Sequence, residues 1–111
     1  MAGPLSGVRV VEVATFIAMP SAGALMADLG ADVIKVEPPQ GDLWRAARNR
    51  TDAVFPSNPM FLLDNRGKRS VAVNLAHPEG QAVVRRLAAG ADVFTTNLVR
   101  HRRERFGMGY Q

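Results

Sequence analysis

Cysteine is absent from this 111-residue chain, which removes disulfides, thiol nucleophiles and thiolate metal ligands. Histidine occurs only at His77 and His101, and neither stands at a carboxylate–histidine spacing that would put ligands on one face, so no metal centre is expected. Ser21 and Ser57 have no histidine close by in sequence, which leaves a nucleophilic serine without support. No apolar run approaches the roughly eighteen residues that a membrane span needs. The N-terminus, MAGPLSGVRV, lacks a basic segment followed by a hydrophobic one, and the expected location is cytoplasmic, with no membrane association. Glycine is missing where a dinucleotide-binding turn would require it. The residues after the first strand run Ala14-Thr15-Phe16-Ile17-Ala18-Met19-Pro20, so the backbone could not approach a pyrophosphate as Gly-x-Gly-x-x-Gly allows. That argues against a nicotinamide or flavin site, and there is no Walker loop either.

What is present is enough apolar character, 47%, for a core, in a length that suits one domain and not two. The segment MADLGADVIKVEPPQGD, Met26 to Asp42, combines a helix end, a strand and a charged exit loop. Sixty positions later LAAGADVFTTN repeats the helix, glycine, strand order. The pattern reads as a strand over Val8–Val13 and a helix with Pro20 at its first position and Ala22, Leu25, Met26 and Leu29 on its inner face. A second strand follows over Asp32–Glu37, where Val33, Ile34 and Val36 form the near-continuous apolar run of a strand covered on both faces. Residues Pro38 to Lys68 show no long regular pattern beyond a short helix after Asp42, and a stretch of that length reads as a binding segment or lid. A third strand over Ser70–Leu75, a helix from Pro78 to Gly90 with Val83, Val84, Leu87 and Ala88 inward, and a fourth strand over Asp92–Thr96 complete the series. Arg100 to Gln111 adds a helical turn broken near Gly107. The fold class is α/β: a Rossmann-like layer with a mostly parallel sheet of about four strands and two main helices. Ligands of such sheets sit beyond the carboxyl ends of the strands, where Glu37 and Asn97 stand.

Charge is unevenly placed. Residues 1–55 carry 5 basic and 6 acidic side chains, whereas 56–111 carry 9 and 4. Such an excess suits a polyanion: nucleic acid, lipid or a phosphorylated small molecule. In Asn65-Arg66-Gly67-Lys68-Arg69-Ser70, three cations precede a strand, and their donors could converge on phosphate oxygens or form a solvated turn. The Arg100–Arg105 cluster is interrupted by Glu104 and carries no interleaved aromatics, so it reads as a solvated face and not as a nucleic-acid surface, with Arg105 the member singled out. Phe16 and Ile17 fit either core packing or ligand contact.

Taken in order, PLSGVRVVEVA, ADLGADVIKVEPPQGD, NRGKRSVAVNL with HPEG, ADVFTTN and RFGMGY resemble the N-terminal part of the class III CoA-transferases, the CaiB/BaiF family. The resemblance covers essentially all of residues 1–111 and identifies them with the first part of that family's large domain, with no second domain. It implies an interlocked homodimer or a complementing chain, and acyl-CoA and carboxylic acid substrates, with coenzyme A as substrate and no metal or covalently bound cofactor. Carried over by position, Phe16 and Ile17 match residues lining the CoA site, Lys68 and Arg69 the family's basic pair, Arg105 an arginine near the CoA nucleotide, and Asn97 a site-facing residue. The chain departs from the family's pattern at Met19, at Pro38 and over Leu98–His101. The family's transferases work through an aspartyl-CoA intermediate, and no aspartate up to residue 111 matches the attacking one, so no catalytic residue is assigned. Two alternatives stand beside this reading: an α-methylacyl-CoA racemase of the same family, and a truncated, non-catalytic binding or interaction module.

Overall fold

A computed structural model of the chain describes residues 2–47 and 58–109. Asp52, Ser57 and Tyr110, together with 48–57 of the stretch read as irregular, lie outside the described residues. The elements follow as β1 (Arg9–Val13), α1 (Ala18–Asp28), β2 (Asp32–Glu37), α2 (Leu43–Ala46), α3 (Pro59–Asn65), β3 (Arg69–Ala72), α4 (Pro78–Ala89), β4 (Val93–Thr96) and α5 (Arg100–Arg105). The four strands form one sheet in the order β3-β2-β1-β4, and every ladder is parallel. The expected α/β architecture is therefore observed. None of the described helices is long and apolar enough to cross a membrane.

The two central strands are the valine-rich ones. Val11, Val13 and Val36 point to the face covered by α4, where Val84 is 1% exposed, and Val10 and Val33 point to the α1 face with Met26 and Ala27. This is the period of two expected of strands buried on both sides. Because α1 leads from β1 to β2 and α4 leads back to β4 on the other side of β1, the chain reverses its winding direction between β1 and β4. That reversal opens a crevice at the carboxyl ends of the strands.

Three local expectations are corrected. The buried residues of α1 are Pro20, Gly23 and Ala24, while Leu25 and Leu29 are exposed. Small residues face inward because the helix lies close to the sheet: a Cβ on Gly23 would meet Glu12 Oε2 at 2.1 Å. Helix α3 occupies part of the stretch expected to be irregular. Asn58 caps it by accepting from the Met60 N–H at 3.0 Å, and Pro59 sits in its first turn, where a missing N–H costs nothing. Strand β3 ends at Ala72 and not at Leu75. Val73 still donates to the Glu37 carbonyl at 2.7 Å before Asn74 turns the chain.

Candidate functional site

Beyond the carboxyl ends of β1, β2 and β3 lies a cleft of about 400 Å³. Its floor is apolar, with Val13 and Val36 from the strands, Val73 just after β3 and Leu98 after β4. The rim is formed by Thr15, by the Pro38–Gly41 turn and by Arg102, Arg105 and Phe106 around α5, and no carboxylate lines it among the described residues. A second depression of about 490 Å³ runs along β3 and the start of α4. It is more open to solvent and carries Glu79, which suits an anionic ligand poorly.

The turn after β1 is held from two sides. Asn97, at the end of β4, spans the crevice: its Oδ1 accepts from the Thr15 N–H at 3.1 Å and its Nδ2 donates to the Thr15 carbonyl at 2.7 Å. From beneath, the Lys35 amine donates to the Ala14 carbonyl at 2.9 Å. Between these anchors Phe16 takes φ 63°, a left-handed conformation uncommon for a bulky residue, and sets its ring 5.7 Å from that of Trp44. Phe16 and Ile17 are about half exposed beside the cleft, and the residue of this turn on the cleft wall is Thr15.

Under the turn, on the α1 face, lies a buried charge quartet. Glu12 and Lys35 are 0% and 1% exposed and meet at 3.3 Å across the β1–β2 ladder. Lys35 donates to Glu12 and to the Ala14 carbonyl, and its amine also lies 2.8 Å from Asp42 Oδ2 as an ion pair. The Lys68 amine completes the set, 3.0 and 2.9 Å from the two Glu12 oxygens, and it also donates to the Pro20 carbonyl and Asn65 Oδ1. Burial pushes the Lys68 amine below its usual value, with the hydrogen bond to Glu12 opposing. Within the quartet two cations stand against two carboxylates, the pairing under which such a cluster is tolerated, and the buried carboxylate of Asp64 acts on Lys68 as well. Asp42 connects the quartet to the rim by capping α2, accepting from the Trp44 N–H at 2.8 Å.

Glu37, at the end of β2, is also engaged internally. Burial disfavours its ionisation, but the paired hydrogen bonds from Arg45 at 2.7 and 2.6 Å, the Asp42 N–H and Ser70 outweigh that and lower its carboxyl to about 2. It ties the Pro38–Gly41 turn to α2 and β3.

The donors of the Asn65–Ser70 loop do not converge. Lys68 points inward to Glu12, whereas Arg66 pairs with Asp28 and Arg69 with Asp32 at 2.9 and 2.7 Å. Asp32 and Arg69 begin their strands, so that pair stands at the end of the sheet opposite the cleft. Arg69 lowers the Asp32 carboxyl through this hydrogen bond. The carboxylates that claim these cations are 37 to 56 positions away in sequence, and only the fold brings them together. Sequence reasoning passed over Thr15, Glu12, Lys35 and Arg102. The available signal for two of them was a single charge inside each apolar run, VVEV and VIKV.

The family model for CoA-transferase family III matches residues 5–111. The chain belongs to CoA-transferase family III. It is 45% identical over 113 aligned residues to the succinate–glutarate CoA-transferase of Agrobacterium fabrum, covering 97% of this chain and 28% of that protein. It is 39% identical to the (R)-2-hydroxy-4-methylpentanoate CoA-transferase of Clostridioides difficile, covering 96% and 27%. Among solved structures, a CaiB/BaiF family protein from Brucella suis superposes with a TM-score of 0.89 at 39% identity, covering 99% of this chain and 30% of that one. The chain thus spans somewhat more than a quarter of the length of these family III relatives.

Proposed function

We propose that the cleft holds the phosphate-bearing end of coenzyme A and that residues 1–111 form the first part of the large domain of an acyl-CoA:carboxylate CoA-transferase. The observation that carries this reading is the cleft itself: an apolar floor at the winding reversal of a parallel sheet, with arginine and, among the described residues, no carboxylate at its rim. An arginine suits such a ligand because its planar fork can bond two phosphate oxygens at once. Arg105 is assigned to the nucleotide end of CoA, Phe16 and Ile17 to the half-exposed turn beside the cleft, and Asn97 to the support of that turn. Lys68 acts from below through Glu12, and Arg69 belongs to the opposite end of the sheet.

In the complete reaction, an aspartate carboxylate supplied by sequence that follows the matched blocks would attack the acyl-CoA carbonyl, giving a mixed anhydride and the CoA thiolate. The thiolate then attacks the aspartyl carbonyl, releasing the first acid and leaving an aspartyl-CoA thioester. An acceptor carboxylate takes its place in the reverse sequence and leaves as a new acyl-CoA. This chain's contribution is to bind and orient CoA. The working form is a cytoplasmic homodimer, or a pair with a complementing chain.

Trp44, the single tryptophan, touches Phe16 and follows Leu43 on the cleft wall, so its fluorescence reports on occupancy. Titration with CoA is expected to change Trp44 emission saturably, and Arg105→Ala to raise the midpoint about tenfold, the scale of a lost charged hydrogen bond. A folded chain that shows neither a fluorescence change nor heat on mixing with CoA would sink this reading.

A further inference from the structure

We propose that Arg102 is a second phosphate-binding residue of the cleft and that, with Arg105, it grips the two adjacent phosphates of a diphosphate. The proposal deepens the CoA reading, on which it rests only for the choice of CoA as the natural diphosphate.

Arg102 and Arg105 stand three residues apart on α5, which puts their Cβ atoms roughly 5–6 Å from each other on one helix face. Both line the cleft. Their side chains have no hydrogen-bond or ion-pair partner among the described residues, in contrast to the cations of the Asn65–Ser70 loop, each of which is claimed by a carboxylate. The one acid of the helix does not reach them, because Glu104 accepts from Arg100 Nε at 2.8 Å. The opposite rim supplies only neutral groups, Gln40, Gly41 and Asn74. Two like charges at this spacing repel one another, and nothing in the described cleft offsets them. An anion between them would. Neighbouring phosphates of a diphosphate have the spacing to give each guanidinium its own pair of oxygens, and the apolar floor beside them lowers the local dielectric, which strengthens the attraction.

The test is calorimetric titration of the 111-residue chain and its variants with CoA, 3′-dephospho-CoA, pantetheine and inorganic pyrophosphate. Arg102→Ala is expected to weaken CoA and dephospho-CoA about tenfold or more and to abolish pyrophosphate binding, while leaving pantetheine unaffected. Arg102→Lys, which keeps the charge and loses the fork, should fall between wild type and alanine. Arg86→Ala, an exposed arginine on α4 outside the cleft, should bind as wild type, and circular dichroism should be the same for all three variants. CoA binding unchanged in Arg102→Ala would overturn the proposal and leave the CoA reading intact. Loss confined to CoA, with dephospho-CoA unaffected, would also overturn it, since Arg102 would then hold the 3′-phosphate. Pyrophosphate binding that depends on Arg102, in a chain that ignores CoA, would keep the arginine pair and overturn the CoA reading. A folded chain that binds none of the four would overturn both.

Discussion

At Gly23 a single missing carbon decides whether four charges can be buried. The Cβ of any other residue would stand 2.1 Å from Glu12 Oε2 and 3.0 Å from Lys68 Cε, so the helix or the carboxylate would have to move. Gly23→Ala is therefore expected to cost at least about 3 kcal/mol in urea unfolding, even though alanine favours helix. The quartet itself gives a sharper experiment. Lys68→Met strands Glu12 with half its partners and should cost about 3–5 kcal/mol, whereas Lys68→Met combined with Glu12→Gln removes one charge of each sign and should cost clearly less than the sum of the two single changes. An additive result in that double-mutant cycle would mean that the two side chains are not coupled. None of this was plain in the sequence, where Lys68 looked like one of three loop cations. Which way a lysine points is settled by what the fold sets beneath it, and here that is a carboxylate 56 residues away reached through the gap at Gly23.

Strands and the longer helices announce themselves through spacing and caps, as β1, β2 and α4 did. Helix α1 is legible in the sequence and Met26 packs inward as its spacing predicts, but Leu25 and Leu29 are exposed, because small residues at close approach bury more fully than the leucines that periodicity favours. Helix α3 is a seven-residue helix with little periodicity to detect, although Asn58-Pro59 is a regular start signal. Asn58 also donates to the Trp44 and Ala47 carbonyls at 2.6 and 3.2 Å, joining α2 to α3. Asn58→Ala should destabilise the chain by about 1–2 kcal/mol. Hydrogen exchange should quicken at the amides of 60–65 and leave β1 and β2 protected. Equal loss of protection in the central strands would show instead that α3 folds as one unit with the sheet. Glu37 adds a pH dependence to the same region. Its carboxyl is lowered from 4.5 to about 2, so the folded state binds fewer protons than the unfolded one; the stabilisation is complete above about 4.5 and is lost as pH falls toward 2. Glu37→Gln should flatten that acid limb by up to about 3 kcal/mol, partly reduced by the solvent access of Arg45. The check is the unfolding midpoint of both forms across pH 2 to 6.

The location of the cleft is legible from where the strands end, but its charge is not, since the Arg100–Arg105 run reads as a solvated face and only the fold brings Arg102 and Arg105 to the cleft. The same whole-molecule view brings out Leu25, Leu29, Leu62 and Leu63, each 45% exposed or more, on the packed pair α1 and α3. Exposed leucines on neighbouring helices are the mark of a contact surface, and the proposed dimer predicts sedimentation as two chains that becomes one on Leu62→Glu with Leu63→Glu. Sedimentation as a single species of one chain at all concentrations would remove that expectation. The Glu12–Lys35 pair, finally, has a consequence for how the chain chooses its own pairing. Apart from that rung and the exposed Arg9–Asp32 pair that opens both strands, β1 and β2 face each other with valine and isoleucine, residues that pack almost equally well if one strand slides two positions along the other. Such a slip would set Glu12 against Val33 in a dry interior, an alignment the sheet could not keep. The ion pair thus works as a key that admits a single alignment. Glu12→Val with Lys35→Val should yield a sheet that still forms but shows doubled amide resonances from competing registers, whereas one set of resonances would mean that the turns alone fix the alignment.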